Sequence, residues 1–61
     1  MATVVHFQTV DTPGTTHTHT VIFEREIRDR HWAIRAACEE HRVNFLDVTH
    51  WTVITNVVIV K

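Results

Sequence analysis

The sequence predicts an α+β fold in the order ββαβ: a small antiparallel or mixed three-stranded sheet with one long helix packed on one face. Three observations carry this. Val, Ile and Thr make up 25 of the 61 residues, and such β-branched side chains favour strands. One Pro and one Gly, adjacent as Pro13-Gly14, leave room for one sharp turn between long elements. The apolar pattern changes from a period near 2 to one near 3.6 after Phe23.

Thr3 to Val10 is β-branched and aromatic without a breaker and reads as the first strand. Its faces carry Val5 and Phe7 on one side and Val4, His6, Gln8 and Val10 on the other. Asp11-Thr12-Pro13-Gly14 is a turn: Pro presets φ, Gly permits positive φ, and the Asp11 carboxylate can accept a backbone N–H two residues on. Thr15 to Phe23 completes a hairpin, with a solvated Thr/His half and a buried Val/Ile/Phe half.

Glu24 to Arg42 is predicted helical. Ile27, His31, Ile34, Cys38, His41 and Phe45 recur at 4-3-4-3-4 and form one stripe. Glu24 and Glu26 suit a first turn, His41 and Arg42 a last turn. Asn44 can take the left-handed conformation past the end. No Ser, Thr, Asp or Asn directly precedes Glu24, so the start is weakly marked. Phe45 to Thr49 reads as a connection and His50 to Val60 as the last strand. Splitting that strand into a hairpin at Thr55-Asn56 is disfavoured, because no Gly is available for the turn.

Sixty-one residues make one domain, 1–61. No stretch approaches the ~18 apolar residues of a membrane span. No basic segment followed by an apolar run opens the chain, which argues against a signal peptide. A single cysteine makes no internal disulfide, and a cytoplasmic, reducing setting is expected. The net charge of -1 argues against an electrostatic nucleic-acid binder. With six His protonated the formal charge moves from -1 to +5, so charge-dependent behaviour should change between about pH 7 and pH 5.

One helix covers one sheet face. The other face is expected to carry Val4, Val10, Ile22 and Ile54, and Val57-Val58-Ile59-Val60 is apolar on both sides. Left bare, that segment is aggregation-prone, with Lys61 its one gatekeeper. Burying four such side chains is worth about 6–12 kcal/mol before entropy costs, comparable with the whole stability of a small domain. A homo-oligomer, a dimer in the simplest case, is therefore expected, with Trp51, Val57, Val58, Ile59 and Val60 at its interface.

Three groups of residues invite chemistry. His17-x-His19 places two imidazoles on one strand face about 7 Å apart at Cα. That is a two-point grip for zinc, which His6, Cys38 or His41 would have to complete. Cys38 with His41 and Asp47 could be posed as nucleophile, base and orienter. An apolar helix position raises a thiol pKa, however, and no Gly-rich backbone nest is present, so no enzyme and no cofactor are expected. Arg28, Arg35 and Arg42 recur every seven residues beside Trp32, and Trp and Arg are the residues most enriched at binding hot spots. The opposite flank carries Glu26, Asp29 and Glu40.

These features lead to an expected non-enzymatic binding protein. It self-associates and engages a larger host protein or protein complex through Arg28, Trp32, Arg35 and Arg42. A free-standing chain of this size has the format of small regulators and inhibitors, phage-encoded inhibitors of host defence among them. The alternatives are a histidine-based zinc-binding or pH-responsive module and a nucleic-acid-binding module, the latter opposed by the near absence of Lys.

Overall fold

In a computed structural model, which describes residues 1–58 and 60, the strands are β1 (Ala2–Val10), β2 (Thr16–Phe23) and β3 (Val48–Val57). The one α-helix among the described residues, α1, spans Arg30–Glu40, and a 3-10 turn occupies Phe45–Asp47. The sheet order is β2-β1-β3 and both pairings are antiparallel. The α+β class and the ββαβ order are as the sequence predicts, and the sheet has no parallel pair. The Cα extents of 38 × 22 × 16 Å are those of two thin layers.

The β1–β2 hairpin closes as its chemistry dictates. Asp11 Oδ1 accepts the Thr15 N–H at 2.8 Å, four residues on rather than the two expected. Gly14 sits at φ +107°, a conformation that side-chain-bearing residues rarely adopt. Every second residue of β1 from Thr3 to Thr9 faces α1 and is buried. Val5, Phe7, Val21, Ile27, Ala33, Ile34, Ala37 and Cys38 form the core, with Phe23, Phe45, Val48, Trp51 and Val53 packed against it. The small Ala33 and Ala37, both fully buried, form with Ile34 and Cys38 the buried side of the helix.

The helix is shorter than its apolar period suggests: eleven residues from Arg30, not a span from Glu24 to Arg42. The cause is a competing claim on the backbone. The fully buried Thr3 hydroxyl donates to the Arg25 carbonyl at 2.9 Å and accepts the Ile27 N–H at 2.8 Å. This holds 25–27 against the sheet, and Ile27 drops into the core from a loop. Asp29 then caps the helix, its Oδ1 accepting the Trp32 N–H at 3.1 Å. At the other end the Val43 N–H reaches the Cys38 carbonyl at 2.8 Å and the Arg42 N–H reaches Glu39 at 3.1 Å. This is a Schellman closure with Arg42, not Asn44, in the left-handed position at φ 56°. Asn44 instead caps the 3-10 turn, accepting the Leu46 N–H at 3.0 Å.

The last strand also differs from expectation. It begins at Val48, ends at Val57 and lies at an edge, because β1 is the strand paired on both sides. Asn56, at φ 61°, occupies a register shift between Ala2↔Val57 and Val4↔Ile54. Thr55-Asn56 is thus a β-bulge rather than a turn, since these two residues face Thr3 alone, one more than regular pairing allows. Beyond Val57 β1 offers no residue to pair with, and Val58 and Val60 are exposed at 71% and 89%. Of the proposed interface residues, Ile59 lies outside the described residues.

Two stability measurements test these local causes. Thr3→Val keeps the shape and removes both hydroxyl bonds, so urea unfolding should show a loss of about 1–3 kcal/mol; an unchanged midpoint contradicts the staple. Arg42→Gly relieves the left-handed backbone, and the same measurement should show a gain of about 1 kcal/mol; a loss would mean the Arg42 side chain stabilises the fold.

Candidate functional site

Three surfaces carry the notable side chains. The first is the outer side of α1. Trp32 is 48% exposed, with the Arg25 guanidinium 4.9 Å from its ring centroid. On one side lies a groove of about 590 Å³ lined by Trp32, Arg35, Cys38, Val43 and Phe45 among others. On the other, a groove of about 460 Å³ is lined by Phe23, Trp32, Ala36, Glu39 and Glu40. Arg35 lies 5.2 Å from the Phe45 ring centroid at the floor of the first groove. Trp32, Ala36 and Glu39 line both grooves; Arg35 and Phe45 belong to the first alone, Phe23 and Glu40 to the second alone.

The Arg28/Arg35/Arg42 stripe is not a helical stripe. Arg28 precedes the helix and lies 3.7 Å from Glu26 at an exposed site, and Arg42 follows the helix. Arg25 takes the place beside Trp32 that the seven-residue spacing assigned to Arg28. The sequence reading missed Arg25, Phe45 and Leu46. Periodicity puts Phe45 at the end of the helical stripe and the start of a connection, and Leu46, 86% exposed, follows it in the 3-10 turn. The available signal was the Asn44-Phe45-Leu46 string: a capping residue followed by two large apolar side chains with no strand or helix to bury them.

The second surface is the sheet face away from α1. Register aligns Ile22, Val4 and Ile54 across all three strands. Ile22 and Ile54 are exposed at 59% and 45%, and Val10 at 37%. Next comes the row Thr20, His6, Thr52, with His6 Nδ1 3.0 Å from Thr20 Oγ1. The bare apolar face is thus an apolar band with a polar continuation. Trp51 is not part of it: it lies on the α1 side, opposite Phe7, its ring 5.6 Å from His31 and 5.9 Å from the Arg30 guanidinium.

The third is a histidine cluster at the end of the core. His19 stacks on Phe7 at 4.7 Å and 13°. Its Nε2 is 3.0 Å from Thr9 Oγ1, and its Nδ1 is 3.1 Å from Nδ1 of His41, the residue that caps α1. His17 turns away from His19 and pairs with Asp11 at 2.7 Å. That bond, with the Thr15 N–H behind it, holds the Asp11 carboxyl below its ordinary range. Burial first, then the positive charges of His41 and His17, holds His19 below the usual histidine range. The metal grip expected from His17 and His19 is therefore redistributed: His19 meets His41, and His17 meets Asp11.

Cys38 is buried, and burial pushes its thiol up against the weaker opposing pull of Arg35. His41 Nδ1 meets His19, and among the described residues no hydrogen bond joins the Cys38 thiol to His41 or His41 to Asp47, as the posed arrangement requires. Among the described residues no helix is long and apolar enough to cross a membrane. The chain matches no protein-family model, no curated protein and no solved structure.

The His19 arrangement sets the sign of a pH effect. A histidine whose folded pKa lies below its unfolded value of ~6.5 binds fewer protons folded than unfolded. Its stabilisation is complete above that value and is lost as pH falls through and below it. In metal-free buffer the urea midpoint should fall between pH 7 and pH 5, and His19→Gln should flatten the decline. An equal decline in the variant would assign the effect to other groups.

Proposed function

We propose that the chain is a small non-enzymatic binding protein. It pairs with a second copy of itself through the open sheet face and engages a larger protein or protein complex through the outer side of α1. The observation that carries the partner reading is Trp32, half exposed between two grooves, with Arg25 over its ring and Arg35 in the groove beside it. Leaving a large aromatic ring in water forgoes its burial energy, and a Trp flanked by Arg is the combination most enriched where binding energy concentrates. The Arg42 side chain, without an ion pair among the described residues, adds positive charge at the helix end.

Self-association is supported by surface area. A folded monomer of this mass exposes about 4,100 Å²; this chain exposes 4575 Å². Apolar side chains are prominent in what remains uncovered: Ile22, Ile54 and Val10 on the open face, and Val58 past the end of β3. A second copy offers the same band, and isologous pairing brings Ile22, Val4 and Ile54 against their own equivalents.

The partner reading is tested by capture from cell extract on immobilised wild type and on Trp32→Ala/Arg35→Ala, with circular dichroism to show that both are folded. Both side chains are exposed, so the fold should survive. The double variant should lose an interactor retained by wild type, and reconstitution with that purified interactor should show at least tenfold weaker binding, a difference of about 1.4 kcal/mol. Equal retention by the folded variant would remove this surface.

A further inference from the structure

We propose that His19 and His41 form a binding site for a divalent, imidazole-preferring transition-metal ion, with their two Nδ1 atoms as the protein ligands. This does not depend on the partner surface, which lies on the outer side of the same helix.

The geometry is close to what an ion needs. Two nitrogen ligands at ~2.0–2.1 Å from a tetrahedral ion stand about 3.3 Å apart, and about 2.9 Å apart when adjacent in a square plane. The two Nδ1 atoms stand 3.1 Å apart, between those values. Their side chains come from different elements, β2 and the C-cap of α1, so the pairing is a product of the fold rather than of local sequence.

One ligand is already oriented. His19 is pinned in a stack on Phe7, and its Nε2 meets Thr9 Oγ1 at 3.0 Å. With the proton on Nε2 donated to that hydroxyl, the lone pair on Nδ1 points at His41, the arrangement by which outer-shell partners fix a metal-binding tautomer. His41 packs edge-on against both His19 and Phe7, at 5.2 and 5.9 Å between centroids. It is exposed, so a small rotation of its ring opens the space between the nitrogens.

Among the described residues no third His, Cys, Asp or Glu joins the pair. Water completes the coordination, which makes the site open and exchangeable rather than a closed structural centre. Two imidazoles favour Cu²⁺ over Zn²⁺ and give Mg²⁺ no preferred ligand. A bound ion would tie the hairpin to the end of the helix and so stabilise the folded chain by mass action.

The test titrates untagged protein at pH 7.5 with ZnCl2, CuCl2 or MgCl2. It is read by calorimetry, thermal unfolding and the histidine ring signals in NMR. One equivalent of Zn²⁺ or Cu²⁺ should bind, raise the melting temperature and perturb the His19 and His41 rings first; Mg²⁺ should do none of these. His41→Ala, at an exposed position, should abolish the binding and the thermal shift. His17→Ala and Trp32→Ala/Arg35→Ala should retain both. His19→Gln serves as a second ligand deletion that keeps a planar group on Phe7. Absence of a thermal shift in wild type, binding that survives His41→Ala, or binding that is lost in His17→Ala would each overturn the assignment.

Discussion

A sheet three strands wide has two faces, and this chain has one helix of three turns to cover them. Most of the architecture follows from how that shortage is handled. β1 takes the centre and commits its odd-numbered residues to α1, with Phe7 and Val5 essentially fully buried. The helix buries small residues, Ala33, Ala37 and Cys38, beside Ile34. The even-numbered side of β1 has only what its neighbours supply. One end is the band of Val4, Ile22 and Ile54, and the other is threonine, histidine and glutamine, with His6 against Thr20.

The same shortage explains why single polar groups matter so much. In a core this small, the loop between β2 and α1 has few apolar anchors. The Thr3 hydroxyl supplies one by bonding the Arg25 carbonyl and the Ile27 N–H together, which places Ile27 in the core. Among the described residues no buried side-chain polar atom lacks a partner. Asp11 in the turn, Asp29 at the helix start and Asn44 at the 3-10 turn each close a local backbone demand. The chain compensates for its size by satisfying its backbone locally, and what it leaves unsatisfied is apolar surface.

How far this was legible in the sequence follows from the range of the interactions involved. The strands, the turn at Pro13-Gly14 and the division of β1 into two faces depend on neighbours two to four residues apart, and periodicity carries that information. The helix start does not, because Thr3 is more than twenty residues from the backbone it captures; the stripe from Ile27 to Phe45 ran on past both true ends. Ile27 and Phe45 do reach the core, but from loops. The same reasoning accounts for the binding candidates. Trp32 and Arg35 kept their places on the helix, whereas Arg28 lost its place to Arg25 when the first turn unwound. The meeting of His19 with His41 depends on tertiary packing alone, and the period-2 pattern pointed instead to His17, which the turn residue Asp11 engages.

The most direct test of this reading is sedimentation equilibrium of the full-length protein over a wide concentration range. It is to be compared with Val4→Glu, which places a charge in the middle of the uncovered band and touches nothing on the α1 side. Wild type should fit to twice the 7.1 kDa chain mass and the variant to a single folded chain. A wild type that remains at the mass of one chain at every concentration, and no less soluble than the variant, would contradict the claim that the second sheet face requires a cover.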